Sequence, residues 1–586
     1  MTINRETAQL LKKVAAVFRV KEGDSFRVKA YNNAASAIDN LSEPIDELWR
    51  QGKLDTIPGV GKSLLGYLEE YFTKGKVRHF ESQFKKVPAG MFALMNIRGV
   101  GPMTAYKIAH RFHLKDESTA LADLQVLIRK GKLTNLESFK QKSIARLTKA
   151  LKIKSTGKGR LLLSDALAIA EAFISYLRLS PFTMDAEPLG SLRRRLSTVG
   201  DIDLAVKTKK PEETMAHVLA YPQISAVITS GDKTSHVKLK NGFEVDIKLS
   251  EPEDWGSLLQ HFTGSKMHNI HLRTLAKEKG YSLSEYGIKA KGKVHHFQTE
   301  TDFYHFLGLP LIPTEIREDT GEIELALKKQ DFNLVELKDI KGDLHLHSNF
   351  DFPSSHDLGG SSLHEILDRA YELGYEYIGL SDHNPKFVGL TEKAKEKILI
   401  ARRKYLEQDF RAYENRVKNR GIKLLIGLEV DIRPSGELAL SEDLLNTLDY
   451  AIVSIHASFD QTKEANTRRI IQALSHPKAL ILGHPTGRQI NEREPLQADW
   501  SEIFNFCAQN HKLLEINASP DRLDLPDDLI RQAIAQGVRL VIDTDSHEVS
   551  QMDFLKLGVW QARKGYATKN DIANTHSLQK FLAVLK

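Results

Sequence analysis

Apolar residues recur every three or four positions through the first 150 residues, interrupted by glycine and polar turns. That period predicts a series of short amphipathic helices. Residues 160–180 continue in helical rhythm, and residues 186–250 shift to strand-like runs with one helix near 211–220. Residues 256–320 mix the two periods. Residues 315–341 are charged and mostly acidic, with one short apolar stretch, as expected of a connection. From residue 342 onward, GDLHLHS, YIGLSDH, LLIGLEVDI, YAIVSIHA, ALILGHP, KLLEINA and RLVIDTDSH alternate with helical segments. This is the rhythm of an α/β barrel. The expected fold class is therefore multidomain, α+β followed by α/β. There is no low-complexity tract and no solenoid repeat.

Composition narrows the picture. A chain of 586 residues has room for several domains. No run of roughly 18 apolar residues predicts a membrane span. The first residues, MTINRETAQLLKKVAAVF, lack the apolar core of a signal peptide. The single cysteine, Cys507, lies in an apolar run and excludes an intrachain disulfide framework, which fits a reducing cytoplasmic setting. The net charge of +7 is uneven: residues 1–200 carry +15 and residues 341–586 carry −4. A basic front half favours a polyanionic partner.

The run GSLRRRLSTVGDIDLAV, residues 190–206, places Asp201 and Asp203 two apart at the start of an apolar run. At strand period both carboxylates face one side. Two such acids repel and lose hydration unless a cation neutralises them. Asp246, in FEVDIKL, supplies a third acid on another strand. Three carboxylates on neighbouring strands can hold two divalent metals roughly 3.5–4 Å apart. Gly190 and Ser191, with Arg193, Arg194 and Arg195, offer a turn, a hydroxyl and positive charge, the groups that hold a polyphosphate. Together they suggest nucleotidyl transfer, with Asp246 a candidate base or metal ligand beside the attacking oxygen.

The C-terminal half carries a second set. His345 and His347 share a strand face, and His383, Glu429, His456 and His484 each end a different apolar run. Asp545 and His547 repeat the two-apart spacing on the last strand. Barrel enzymes place their active sites at those strand ends. A His-rich set with a few carboxylates suits manganese, zinc or iron better than magnesium. So many ligands imply a cluster of two or three metals and phosphoester hydrolysis.

Two turns in the basic front half, IPGVGKS at 57–63 and IRGVGPM at 97–103, resemble helix-hairpin-helix elements. Gly59, Gly61, Gly99 and Gly101 would let the backbone turn tightly and bring N–H groups against DNA phosphates. Such binding is sequence-independent and salt-sensitive.

GS-x-RR, then G-D-I-D, then a later V-D, resembles the palm of family X DNA polymerases, and HFTGSKMHNIHLRTLAKEKGYSLSEYGI, residues 261–288, resembles their thumb. The resemblance implies catalytic metal ligands at Asp201, Asp203 and Asp246, binding Mg2+ or Mn2+. It implies triphosphate contacts from Ser191 and Arg194, with Gly190 and Gly200 allowing close approach. Phe262 and Gly264 would pack against the incoming sugar, Asn269 would reach the nascent base pair, and Arg273 the template strand. His261 stands where the family usually has Tyr, which bears on the choice between dNTP and NTP. Tyr67 stands where some members have a Schiff-base lysine, and a phenol cannot form an imine.

The C-terminal segment resembles a polymerase-and-histidinol-phosphatase (PHP) domain, a distorted (β/α)7 barrel. That pattern makes His345, His347, His383, Glu429, His456, His484, Asp545 and His547 ligands of a Mn2+, Zn2+ or Fe2+ cluster. For the first-loop ligand in SNFDFPSSHDLGG the choice is His356, with Asp351 and Asp357 as rivals.

The combination resembles the bacterial form of family X polymerase. The implied layout is a DNA-binding helical domain at 1–85 and a fingers-like helical domain at 86–155. A nucleotidyltransferase palm follows at 156–255, a thumb at 256–320, a linker at 321–340 and the PHP domain at 341–586. The implied function is template-directed filling of short gaps in DNA repair, including base excision repair, with 3′-5′ exonuclease or 3′-end processing. Gapped or primer-template DNA and dNTPs are the expected partners, for a cytoplasmic, nucleoid-associated monomer. The competing reading is a DNA-end-tethered phosphoesterase or scaffold with a weak polymerase site.

Overall fold

The structure is a computed structural model. It describes residues 3–21, 25–39, 45–57, 59–95, 100–117, 119–129, 132 and 160–584, apart from 353, 387–388 and 418–419. The chain divides into two compact units, Met1–Gly159 and Arg160–Lys586.

The first unit is helical among its described residues. Helices Ile3–Lys21, Ser25–Asp39, Ile45–Arg50, Lys62–Lys74 and Arg78–Phe84 surround a core that includes Leu11, Phe18, Ala34, Leu68 and Phe80. A second cluster, with Met91, Leu94, Ile108 and Leu124, joins helices Gly90–Met95, Pro102–Arg111 and Ala120–Arg129. Ala16 and Val17 of the first helix belong to that second cluster, so one amphipathic helix serves both. The end of the expected fingers-like segment, 133–155, lies outside the described residues.

The second unit begins with a five-stranded sheet: β1 Asp185–Pro188, β2 Ile202–Lys207, β3 Ile224–Ser230, β4 Thr234–Leu239 and β5 Glu244–Ser250. The order is β1-β2-β5-β4-β3, and β2 and β5 run parallel. Period two sorts β2 by face. Ile202, Leu204 and Val206 join the core beneath helix Leu163–Leu177, while Ala205 packs with Trp255 and Leu258 on the other side.

Helices Trp255–Thr263 and Lys266–Glu278 follow, then a small antiparallel sheet of β6 Ser282–Ser284, β7 Gly287–Ala290 and β8 Lys293–His295. The segment expected as a connection is folded into this part. Helix Glu322–Leu327 and Leu334 bury Ile323, Ala326 and Leu334 in a core with Leu272, Phe303 and Tyr304. The acidic run disguises this because Glu322, itself buried, is absorbed by a hydrogen bond with His268, 2.7 Å away.

The last part is a barrel of parallel strands. β9 Gly342–Leu346, β10 Tyr377–Leu380 and β11 Lys423–Ile426 form one run. β12 Leu428–Asp431, β13 Ala451–Ser454, β14 Ala479–Leu482, β15 Leu513–Asn517 and β16 Leu540–Asp543 form the other. β11 and β12 are one strand divided at Gly427, whose neighbours change from β10 to β13. A side chain there would strike the Tyr450 ring at 2.7 Å. Parallel bridges Leu346↔Ser546 and His383↔Glu429 join the two runs. The result is a distorted seven-stranded barrel ringed by helices.

Candidate metal centres

The first centre sits on the five-stranded sheet. The register sets Asp203 of β2 directly beside Asp246 of β5, and Asp201 immediately precedes β2. Burial, then Asp201 and Asp246, push the Asp203 carboxyl up to about 6. This is the electrostatic state of acids gathered without enough positive charge, and a divalent cation fits it. His236 of β4 faces Asp246 at 2.8 Å and Glu244 at 3.2 Å. It was not singled out from sequence, because only the β4–β5 register brings it there.

The turn above these acids is tightly built. Gly190 has φ +55, and a side chain on it would meet the Asp203 carboxylate at 2.8 Å, so glycine is required there. Ser191 lies in the short helix Gly190–Arg193. Arg193 donates to Thr263 Oγ1 and Glu300, each at 2.6 Å. Arg194 donates to Glu318 at 2.7 Å and to the Thr263 carbonyl. Gly200 lies against the Arg160 guanidinium, and Gly264 (φ +70) against that of Arg194. Phe262 carries the Lys248 ammonium on its ring at 4.4 Å, and His261 meets Phe262 edge-on. Asn269 donates to the His261 carbonyl at 2.8 Å and accepts from Gln260, while Arg273 is exposed on helix Lys266–Glu278.

The second centre lies at the strand ends of the barrel. His345, His347, Glu429 and Asp545 bring four donor atoms within 4.8 Å of one another. His347, His383 and His547 form another such group, as do His383, Glu429 and His456. His356, Asp431 and His456 form a fourth. His484 Nε2 lies 2.9 Å from Glu429 Oε1. The ligands predicted from the strand ends therefore form one connected cluster.

In the first loop, His356 reaches Asp431 at 3.0 Å. Asp357 reaches His383 at 3.6 Å and His547 at 3.7 Å, so two of the three alternatives approach the cluster. Asp351 is exposed and outside these groups.

The donor set fits metal ions. His345 Nε2, both nitrogens of His347, His383 Nδ1 and Glu429 Oε2 are buried with no hydrogen-bond partner. Yet His383 Nδ1 and Glu429 Oε2 lie 2.8 Å apart. Atoms that approach closely without hydrogen-bond geometry are aimed at a common point. Burial opposes charge on His383, but Glu429 and Asp357 carry it up to about 10. Glu429 and Asp431 likewise lift His456 to about 9 against burial. Burial, then His547, press His347 down to about 3. Burial would raise Glu429, but His383, His456 and His345 hold it well below the usual carboxylate range.

Behind the ligand cluster, Glu515 of β15 accepts from His345 Nδ1 at 2.6 Å and from the His484 backbone N–H at 2.5 Å, so it orients the His345 imidazole and holds the backbone that carries His484. Asp431 and Glu515 were missed from sequence, though each had a signal. Asp431 is two residues from Glu429 on one strand, and Glu515 is a lone acid in an apolar run.

In the first unit, Gly59 has φ +80 and lies 3.2 Å from the Ala34 backbone, measured from where its side chain would begin. Gly61 and Gly101 are the N-caps of helices Lys62–Lys74 and Pro102–Arg111. Gly99 lies outside the described residues. Tyr67 stacks on His79 with ring centroids 4.9 Å apart.

The chain matches family models for a helix-hairpin-helix domain over residues 2–77, the DNA polymerase beta thumb over 258–318, and a PHP domain over 343–519. It is 33% identical over 586 residues to the DNA polymerase/3′-5′ exonuclease PolX of Bacillus subtilis, covering 99% of each chain. DNA polymerase lambda of Rattus norvegicus is 24% identical over 52% of this chain and 55% of its own. A probable phosphatase of Clostridium acetobutylicum is 30% identical over 35% of this chain and 78% of its own. Among the described residues no helix is long and apolar enough to cross a membrane.

Proposed function

Because the chain belongs to the family X DNA polymerases that carry a PHP domain, we propose that it extends a primer across short DNA gaps at one metal centre and trims or repairs the 3′ end at the other. It is a divalent-metal-dependent enzyme acting on DNA and nucleotides. The observation that carries the two-site reading is that one compact unit holds two unlike donor sets, paired aspartates on parallel strands and a buried histidine–carboxylate ring.

At the sheet, Asp201, Asp203 and Asp246 are the ligands for Mg2+ or Mn2+. Asp246 lies beside the attacking 3′-hydroxyl. Ser191 and Arg194 hold the triphosphate, with Gly190 and Gly200 giving the backbone room. Phe262, Gly264 and Asn269 line the sugar and base, and Arg273 meets the template strand. In the barrel, His345, His347, His383, Glu429, His456, His484, Asp545 and His547 hold a Mn2+, Zn2+ or Fe2+ cluster, with a first-loop ligand from His356 or Asp357. When bound, these ions neutralise charge on the phosphate and lower the pKa of the attacking oxygen. Gly59, Gly61, Gly99 and Gly101 grip the DNA backbone, and the protein works as a monomer in the cytoplasm.

A gapped duplex with a labelled primer and Mn2+ tests this directly. Extension with dNTPs and shortening without them are expected. Shortening without extension would favour an end-tethered phosphoesterase. Extension without shortening would direct the barrel to another phosphoester, such as a sugar phosphate, a reading favoured by its similarity to a probable phosphatase.

A further inference from the structure

The three consecutive arginines of the 190–195 turn are anchored in different parts of the unit. Arg193 and Arg194 are held by Thr263, Glu300 and Glu318, as described above. Arg195 is held by the barrel. Its guanidinium lies over the Trp560 ring, 4.2 Å from the centroid. Its Nη1 is buried with no hydrogen-bond partner, and the indole face supports the charge alongside the carboxylates of Glu315 and Glu187. Arg195 also has φ +57. A non-glycine residue in the left-handed region is unfavourable, and such a conformation persists where its surroundings enforce it.

Trp560 is not an isolated contact. It lies on helix Leu555–Lys564, whose Arg563 pairs with Glu315 at 2.8 Å and whose Leu557 is buried in the core of the five-stranded sheet. Leu523, from the loop after β15, is buried in the same core, and Ile490, Phe554 and Trp560 pack against it. The barrel thus supplies part of the floor on which the turn rests.

We propose that Trp560 is a positioning residue of the polymerase site: through Arg195 it fixes the end of the 190–195 turn, so that Ser191 and Arg194 meet the triphosphate of the incoming nucleotide. The PHP domain is then a structural part of the nucleotide site as well as a second enzyme. This rests on the reading of Ser191 and Arg194 as triphosphate contacts.

The test uses the full chain, the gapped duplex and steady-state extension at varied dNTP. In Trp560→Ala the KM for dNTP should rise roughly three- to thirtyfold, the range for losing a cation–π contact that is at least partly desolvated. kcat should stay within about twofold, as for loss of ground-state binding. Primer shortening without dNTPs should be unchanged. Trp560→Phe, which keeps a ring face, should recover most of the KM. Trp560→Leu, which keeps bulk but removes the ring face, should give the same split as Trp560→Ala, which keeps the test open if Trp560→Ala does not fold. An unchanged KM in folded Trp560→Ala would overturn the proposal. Equal loss of extension and shortening, or no recovery with Phe, would reduce Trp560 to a general packing role and also overturn it. Arg194→Ala separates the layers. If it leaves the dNTP KM unchanged, the triphosphate reading itself fails. If it raises KM while Trp560→Ala does not, only the inference about Trp560 fails.

Discussion

The two metal centres solve opposite electrostatic problems. On the sheet, three carboxylates converge, and even with Lys248 and His236 nearby Asp203 is pushed up to about 6 by burial and its two acidic neighbours. In the barrel, imidazoles and carboxylates alternate, and Glu429 is held far below its usual range by the histidines around it. The first arrangement is repulsive until a cation and a triphosphate arrive together, so it suits metal that enters with its substrate. The second presents a dense, largely buried set of nitrogen and oxygen donors, which suits a resident cluster. On the proposed reading, the sheet would hold an exchangeable centre for synthesis and the barrel a resident one for hydrolysis.

The largest expected effect separates the two centres by one residue. Asp246→Asn should lower extension by about 1,000-fold or more, the scale of losing metal-assisted charge stabilisation, with shortening of the primer unaffected. Metal analysis after exhaustive desalting sharpens the contrast: the barrel should retain bound metal, and extension alone should need Mg2+ or Mn2+ restored.

The open centre depends on its frame. Glu300 is buried between Arg317 and Arg193, each 2.6 Å away. Burial would raise its carboxyl, but the two guanidinium groups outweigh that and hold it at about 2. Glu300→Gln leaves the buried Arg317 without its anion and should lower the stability of the second unit by about 3 kcal/mol, as for breaking a buried pair. Chemical denaturation would measure it. Because the folded value lies below the ordinary 4.5, the stability Glu300 contributes is complete above about pH 4.5 and is lost as pH falls through 2.

The closed centre should feel its outer residues. Glu515→Gln weakens the orientation of the His345 imidazole and the hold on the His484 backbone, and should reduce metal affinity or hydrolysis roughly 10- to 100-fold while sparing extension. The smallest effect is expected in the first unit. Tyr67→Phe keeps the stack on His79 and should change stability by less than about 0.5 kcal/mol. Tyr67→Phe should also leave any borohydride-trapped adduct with an abasic 5′ end unchanged, since a phenol cannot form an imine.

Most of this was legible in the order of residues. The strand-end histidines announce themselves because a strand period places His345 with His347 and Asp545 with His547 on one face. Asp201, Asp203 and Asp246 stand out for the same reason. Pairings between distant segments were not legible. The β4–β5 register brings His236 to Asp246, and a loop decides that Asp357 as well as His356 approaches the cluster. Neither follows from local pattern. The segment 321–334 read as a connection because its charges hide a buried Glu322–His268 bond and three core side chains. The contact between Arg195 and Trp560 spans 365 positions, and nothing in either neighbourhood predicts it.

The most direct test of the two-centre account is a crossed pair of substitutions on one labelled gapped duplex. Asp203→Ala should abolish extension and leave shortening intact, and His347→Ala should do the reverse. Loss of both activities in either folded variant would contradict the account.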